Sequence, residues 1–394
     1  MTTLYDDDAL DLLQLAFTPG LGPIRIARCI EHFGSPAKVL RASPKAFESV
    51  PGIGPKLASQ ISSHVRTARQ LALEQLDAAA SIGATILLKG FPGYPALLAE
   101  LDDAPVMLMV KGRIDHDDLD RYPVGIVGSR NCTLYGTEQA ERFSAALARA
   151  GLTVVSGGAR GIDTAAHSAA IKSGGRTIVV LGCGLGHIYP DTNAALFDRI
   201  VAEDRGAIVS ELPIDTAPNA NNFPSRNRII SGLSLGVLVI EAGARSGALI
   251  TARVAAEEHG REVMALPGRV DSVASRGTLE LIRDAAAAAV IEPADVIATL
   301  ENAARHHFSG THEARFVDPV RSETSLGSDN EILGAANPLQ SRILAALDSP
   351  RTADQLAQAL EIESSTLRSE LTMLELARRI QRTGSTFVRV TTAR

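Results

Sequence analysis

The stretch Leu152-Thr153-Val154-Val155-Ser156-Gly157-Gly158-Ala159-Arg160-Gly161-Ile162-Asp163 runs an apolar segment straight into a loop of small residues carrying one cation and one acid. A short continuous apolar run is the pattern of a strand buried on both faces. The segment Thr164–Lys172 that follows reads as a helix. The same order recurs along the chain. Strand patterns fall at Ala84–Leu88, Val106–Val110, Val124–Val127, Leu152–Val155, Thr177–Leu181, Ala207–Val209, Gly236–Ile240 and Glu262–Ala265. Helical patterns lie between them at Glu138–Ala150, Thr164–Lys172, Asn193–Val201 and Leu249–Glu258. This alternation predicts an α/β domain over residues 76–300, with a Rossmann-like, doubly wound parallel sheet as its core.

Ligands of such sheets bind beyond the C-terminal ends of the strands, so the loops there carry the functional reading. Gly128-Ser129-Arg130 follows Val124–Val127. A small residue, a hydroxyl and a guanidinium before a helix predict an anion cradle. Gly157 and Gly158 let backbone approach a ligand, and Arg160 adds charge. Asp163 and His167 share a helix face. They read as a proton-transfer pair or as a helix cap beside a buried, hydrogen-bonding histidine. Gly182-Cys183-Gly184-Leu185-Gly186 again marks exposed backbone. Cys183 has no base partner and reads as a small structural residue. Arg226-Asn227-Arg228 at a helix start suits phosphate or base-edge contact. Glu241 closes Gly236–Ile240 and leads into Arg245-Ser246-Gly247 at the rim of the same pocket. The usual dinucleotide fingerprint is missing from these loops, so no cofactor is expected.

Two smaller modules flank this core. In residues 1–75, Pro19-Gly20-Leu21-Gly22-Pro23 recurs as Pro51-Gly52-Ile53-Gly54-Pro55, each followed by an Ala/Ile-rich helix. That repeat predicts a SAM-like helix-hairpin-helix domain. Its turns suit phosphate contact and suit a purely structural role equally well. Residues 301–337 hold six acids, three Arg and three His with few apolar residues, which predicts a flexible linker. His306, His307 and His312 hint at metal, but a solvated linker explains them, and no metal site is expected. In residues 338–394, helices at Leu339–Leu347, Thr352–Leu360 and Ser364–Leu376 precede a strand-turn-strand around Thr383-Gly384-Ser385. This is a winged-helix pattern, suited to DNA or to protein docking.

The whole chain has 394 residues and a net charge of −6, so any basic surface must be local. Of its 39 cations only six are Lys. Cys29, Cys132 and Cys183 stand too far apart in sequence for a CxxC pair, which predicts neither a disulfide scaffold nor a zinc knuckle and fits a reducing cytoplasm. The acidic start predicts no signal peptide, and no apolar run reaches membrane-spanning length. With no Trp and 4% aromatic residues, base stacking is confined to a few places.

Taken together, Gly128-Ser129-Arg130, Ser156–Asp163, Gly182–Pro190, Ser210-Glu211-Leu212-Pro213, Phe223–Ser234 and Glu241–Thr251 resemble the DNA-processing protein A family (DprA, also called Smf) over about residues 20–290. The resemblance implies a cytoplasmic, non-enzymatic protein that binds single-stranded DNA, protects it in natural transformation and loads the RecA recombinase onto it. It also implies a homodimer through the Rossmann-like domain, with single-strand binding protein as a further partner. Carried onto this sequence, it places DNA contacts on Gly128-Ser129-Arg130, on Arg176 before the third strand, and on Arg226-Asn227-Arg228. Gly157, Gly158, Arg160 and Arg245 complete the expected DNA surface. Where the family usually reads Asn and Gly late in the domain, this chain has Leu279 and Ala285.

Arg130, Arg176, Arg226 and Arg228 should form one basic patch. Leu249, Ile250, Val254, Leu281 and Ile282, with the run Ala285–Ala289, should form a dimer edge of closely approaching helices; burial within one domain is the ordinary alternative. A competing reading makes the protein a nucleotide or nucleoside-phosphate hydrolase related to the Lonely Guy phosphoribohydrolases, with Glu241 and Arg245 as its catalytic pair. Against it, the Pro-Gly-Gly-x-Gly-Thr signature of that group is absent. A pyridine-nucleotide enzyme is disfavoured by the missing fingerprint.

Overall fold

In this computed structural model the described residues are 5–309, 338–347, 349, 351–360, 367, 371, 374, 380–383 and 386–389. The chain divides into two compact units, residues 1–315 and 316–394. Among the described residues no helix is long and apolar enough to cross a membrane.

The first unit opens with α1 (Asp7–Ala16), α2 (Pro23–Phe33), α3 (Pro36–Leu40), α4 (Pro44–Phe47) and α5 (Pro55–Ser81). The sequence repeat becomes a structural repeat. Gly20 and Gly52 take φ of +90° and +86°, and Gly22 and Gly54 cap α2 and α5, each with Pro at the first helical position. Pro fits there because that N–H has no partner inside the helix. α5 runs past the boundary expected at residue 75. Its buried Gln75 accepts a 2.7 Å hydrogen bond from the Ile214 amide, and the helical core is continuous with one side of the sheet. The helical module and the sheet therefore form one body.

The sheet contains β1 (Ala84–Leu88), β2 (Met107–Gly112), β3 (Pro123–Val127), β4 (Thr153–Ser156), β5 (Thr177–Val180), β6 (Gly206–Ser210), β7 (Gly236–Val239), β8 (Glu262–Ala265) and β9 (Ala288–Ala289), in the order β1-β2-β6-β5-β4-β3-β7-β8-β9. From β6 to β9 all pairings are parallel; β1 and β2 add an antiparallel edge. Buried antiparallel strands show the same apolar runs as parallel ones, so the sequence pattern does not separate them. The chain order reverses between β3 and β7, which makes that crevice the topological switch point. The helices are α6 (Ala96–Ala99), α7 (Leu134–Arg149), α8 (Ile162–Lys172), α9 (Ala194–Ala202), α10 (Asn222–Gly232), α11 (Gly247–Arg253) continued by a π turn at Val254–Glu258, α12 (Arg276–Arg283) and α13 (Pro293–Ser309). α13 extends through residues 301–309, which were expected to be linker. Residues 310–337, with His312, and the side chains of His306 and His307 lie outside the described residues.

The expected helical dimer edge does not form as read. Val254 is buried, while Leu249, Leu281 and Ile282 pack onto the core; of the five apolar residues only Ile250 is exposed. Nor is Ala285–Ala289 helical. Ala285 takes φ +56° just past α12, its amide bonds Ile282 O at 3.1 Å, and the Ala286 amide bonds Leu281 O at 2.9 Å. This is a Schellman ending, in which Gly normally fills the left-handed position. The turn of the family pattern thus survives with Ala in a strained conformation. Left-handed backbone costs a residue with Cβ about 1–2 kcal/mol, and Gly returns part of that through unfolded-chain entropy. Ala285→Gly should stabilise the protein by about 0.5–1 kcal/mol, read as a rise of a few degrees in melting temperature. A fall would show that the turn is not left-handed.

In the second unit, α14 (Pro338–Ala346) and α15 (Ala353–Leu360) pack with the sheet β10 (Arg351–Thr352), β11 (Ile380–Thr383) and β12 (Thr386–Arg389), ordered β10-β12-β11. Leu367, Leu371 and Leu374, spaced at helical intervals within the expected third helix, are buried in the same core. This is the winged-helix arrangement.

Candidate nucleic-acid interface

A cleft of about 830 Å³ opens at the switch point, within the usual range for a ligand site. It is walled by Gly128–Asn131 after β3, Ala159 and Asp163 after β4, Tyr189, Phe223, Pro224, Arg226 and Asn227 at the start of α10, and Gly243–Ala248 with Ile250 and Thr251 after β7. Its charged lining is Arg130, Arg226 and Arg245 against one acid, Asp163. On an acidic protein this hollow is locally basic.

Arg130 and Arg245 are exposed on its walls. The Arg130 guanidinium lies 5.0 Å from the Phe223 ring centroid, and Tyr189 lies 5.5 Å from Phe223. The flat faces of Arg and aromatic rings suit nucleobases, while the guanidinium edge suits phosphate. The sequence reading missed both rings. Phe223 was legible as an aromatic directly before the Arg226-Asn227-Arg228 motif; Tyr189 carried no comparable signal.

Several glycines serve the protein rather than a ligand. A Cβ on Gly157 would lie 2.7 Å from the Arg226 guanidinium. On Gly158, with φ +66°, it would strike Val179 and Phe197; on Gly182, Phe223; on Gly184, the backbone of Pro213 and Ile214. Gly157, Gly158 and the Gly182–Gly186 run therefore make room for neighbouring chain, which corrects the expectation of backbone opened to a ligand. Gly161 does the same for the cradle itself: with φ +79°, its Cβ position is 2.4 Å from Ser129 O and 2.7 Å from Arg130 O.

The cradle is also narrower than expected. The Ser129 amide is spent on Glu241 O at 2.7 Å, and its hydroxyl accepts from the Asn131 amide at 3.2 Å. Ser129 retains its hydroxyl proton to donate, and Arg130 supplies the charge. Glu241 is 1% exposed and holds the start of α7, accepting from the Thr133 amide and hydroxyl at 2.7 Å each. Both of its carboxylate oxygens are committed, and a carboxylate at a helix start is a stabilising placement. This counts against Glu241 as one half of a catalytic pair with Arg245.

Below the cleft, Arg226 is 4% exposed and donates to the carbonyls of Gly157 and Val180. Burial lowers its pKa to about 10 despite Asp163, with Arg130 pushing the same way. Burial also raises the Asp163 carboxyl, against the pull of Arg226. Arg226 is a floor beam that ties two strand ends together and shows one face to the cleft. Asn227 lines the cleft and accepts from Arg226 Nε at 3.3 Å.

Arg176 and Arg228 are elsewhere. Arg176 stands before β5, at the opposite end of the strands from Arg130. It is 9% exposed, bonds both Asp120 carboxylate oxygens at 2.8 and 2.9 Å, and donates to Asp204 O and Arg113 O. Arg228 turns to Glu211 and to Asp103 O, away from the cleft lining. Arg160 is exposed but is not part of that lining. The single patch of four arginines is therefore not formed; Arg130, Arg226 and Arg245 share the cleft instead.

Asp163 and His167 do not pair. Asp163 accepts from the Ala159 amide at 3.2 Å, whereas His167 Nδ1 bonds Thr177 Oγ1 at 2.7 Å and Nε2 is buried without a partner. Burial, aided by Arg226, lowers the His167 pKa to about 3. The unfolded chain takes up this proton below its ordinary value near 6.5, while the folded one does so only near 3, so stability falls as pH drops through that window. Between pH 7 and 5 the loss is about 2 kcal/mol. In urea melts, the stability gap between the parent and His167→Gln should shrink by that amount over this range. Parallel profiles would mean that His167 titrates normally.

The family model for DNA recombination-mediator protein A matches residues 85–301, a SAM-like helix-hairpin-helix tandem matches 10–67, and a DprA winged helix domain matches 331–384. Protein Smf of Synechocystis sp. is 41% identical over 269 residues, 68% of this chain and 66% of that protein. Protein Smf of Escherichia coli is 43% identical over 233 residues, 59% and 61% of the two chains. The DNA processing protein DprA of Streptococcus pneumoniae is 44% identical over 209 residues, 53% and 71%. The X-ray structure of the pneumococcal protein superposes with a TM-score of 0.62 at 33% identity, covering 75% of this chain and 98% of that one.

Proposed function

Because this chain belongs to the DNA recombination-mediator protein A family, we propose that it binds single-stranded DNA in the switch-point cleft and delivers the strand to a RecA-type recombinase in the cytoplasm, protecting incoming DNA in natural transformation. The observation that carries this reading is the pairing of exposed Arg130 and Arg245 with the Phe223 and Tyr189 rings in one open, basic cleft. The arginines meet phosphate, and the rings meet bases of any identity. Base preference is accordingly weak, and affinity falls with salt as counterions are released.

The protein acts without catalysis in this reading, since the acid at the β7 end is consumed in holding α7. It works as a homodimer through the Rossmann-like domain; exposed Ile250, Val270 and Val273 offer apolar surface on the β7–β8 side. Single-strand binding protein is a further partner. Filter binding of a labelled oligonucleotide, run beside a nucleotide-turnover assay, tests the proposal. Retention without turnover supports it; release of base from a nucleotide would favour the hydrolase.

A further inference from the structure

We propose that His259 is a positioning residue of the cleft, a clamp that holds its α11 wall against its α10 wall. This role rests on the strand-binding reading of the cleft given above. α10 gives the cleft Phe223, Arg226, Asn227 and Ile230, and the segment after β7 gives it Arg245 and Ile250. Those side chains meet one strand together only if the two walls keep a fixed separation. His259 is not part of the lining, yet it bonds to both walls.

Its backbone closes the first wall. α11 passes into the π turn Val254–Glu258, and the His259 amide bonds back to Val254 O at 3.1 Å. π turns are rare within helices and recur at functional sites, where the surrounding fold must hold them. The His259 side chain does the holding. Nδ1 lies 2.7 Å from Ser231 Oγ on α10, and Nε2 lies 3.3 Å from Asp103 Oδ1 in the loop between α6 and β2. The imidazole side chain is 2% exposed, which shields both bonds from competing water. Burial pushes the Asp103 carboxyl up, but the His259 bond and the Arg228 charge outweigh it and hold the group below its ordinary value. Asp103 is therefore a carboxylate and only accepts. Nε2 carries the proton that Asp103 accepts, which leaves Nδ1 of the neutral ring to take the Ser231 hydroxyl proton.

Ser231, His259 and Asp103 stand in the order of a hydrolase's nucleophile, base and orienting acid. Ser231, however, is 0% exposed and does not line the cleft, so no substrate reaches its oxygen. What the three residues join is α10, the end of α11 and the α6–β2 loop. α10 has a second anchor, because Arg226 donates to the carbonyls of Gly157 and Val180 at two strand ends. Loss of the clamp therefore loosens the side that carries Arg245 and Ile250 more than the side that carries Phe223. Binding groups are only as well placed as the residues that support them.

The test uses the full chain and a fluorescent 20-nucleotide poly-dT strand at fixed salt, well below the melting temperature of every variant. His259→Gln keeps a donor and an acceptor in one amide and should bind within about twofold of the parent. His259→Leu fills the space with neither and should weaken binding by about fivefold or more, as residues that act without touching the ligand can. Ser231→Ala, which removes one bond and little volume, should show part of the same loss if His259→Leu folds poorly. A double-mutant cycle locates the effect. His259→Leu combined with Arg245→Ala should lose less than the product of the two single losses, because the clamp already places Arg245; combined with Arg130→Ala, the losses should multiply. A parent that holds no poly-dT would overturn the cleft reading and the clamp together. With the parent binding, equal affinities of the Gln and Leu variants, or losses that multiply with both arginines, would overturn the clamp alone.

Discussion

Arg130→Ala should weaken single-strand binding by about 10- to 100-fold at low salt, because a hydrogen bond to a charged group contributes roughly 1.5–3 kcal/mol. The loss should be similar for all base sequences, since phosphate contacts carry no sequence information. The salt slope should fall by about 0.7, the share of one phosphate on a single strand. Melting should hardly move, because Arg130 is exposed and rests on the Phe223 face. Arg130→Lys should recover the slope but not the full affinity, for an ammonium keeps the charge and loses the planar fork. Fluorescence anisotropy across a salt series, beside thermal melts, checks all four points. A sequence-dependent loss would instead assign Arg130 to base readout.

Arg176→Ala should do the opposite. Removing this side chain strands the Asp120 carboxylate, 1% exposed, and leaves Asp204 O and Arg113 O without their donor. Breaking a buried pair from one side costs about 3–5 kcal/mol. For a unit of this size that is a fall of roughly 10 °C in melting temperature. The fraction that stays folded should bind oligonucleotide as the parent does. Denaturant melts give the first quantity, and binding well below the melting temperature gives the second. Intact stability with lost affinity would return Arg176 to the DNA surface.

The contrast between these two arginines shows where the sequence could be read and where it could not. The strands were visible because parallel strands buried on both faces are continuous apolar runs, and their ends located the Gly128-Ser129-Arg130 loop correctly. Whether an arginine faces water depends on acids far away in sequence. Asp120 lies 56 residues from Arg176, and Asp103 lies 125 from Arg228. No local pattern announces such partners. Glycine was ambiguous for the same reason. Gly157 and Gly182 read as backbone bared to a ligand, yet each clears space for a side chain, Arg226 or Phe223, brought in by the fold. Helix starts were read late where polar caps precede the apolar pattern: α7 begins at Leu134, behind Thr133, rather than at Glu138. The proline-capped turns of the N-terminal repeat were read well, because Gly and Pro constrain the backbone whatever surrounds them.

The central claim is that the cleft holds a strand and not a single nucleotide. Its most direct test is the affinity of the full chain for poly-dT oligonucleotides from one nucleotide upward at fixed salt. The account predicts weak binding of a mononucleotide and affinity that keeps rising over many nucleotides, as successive phosphates and bases find Arg130, Arg245 and the Phe223–Tyr189 rings. Affinity already at its limit with one or two nucleotides would contradict it and leave the cleft as a nucleotide pocket.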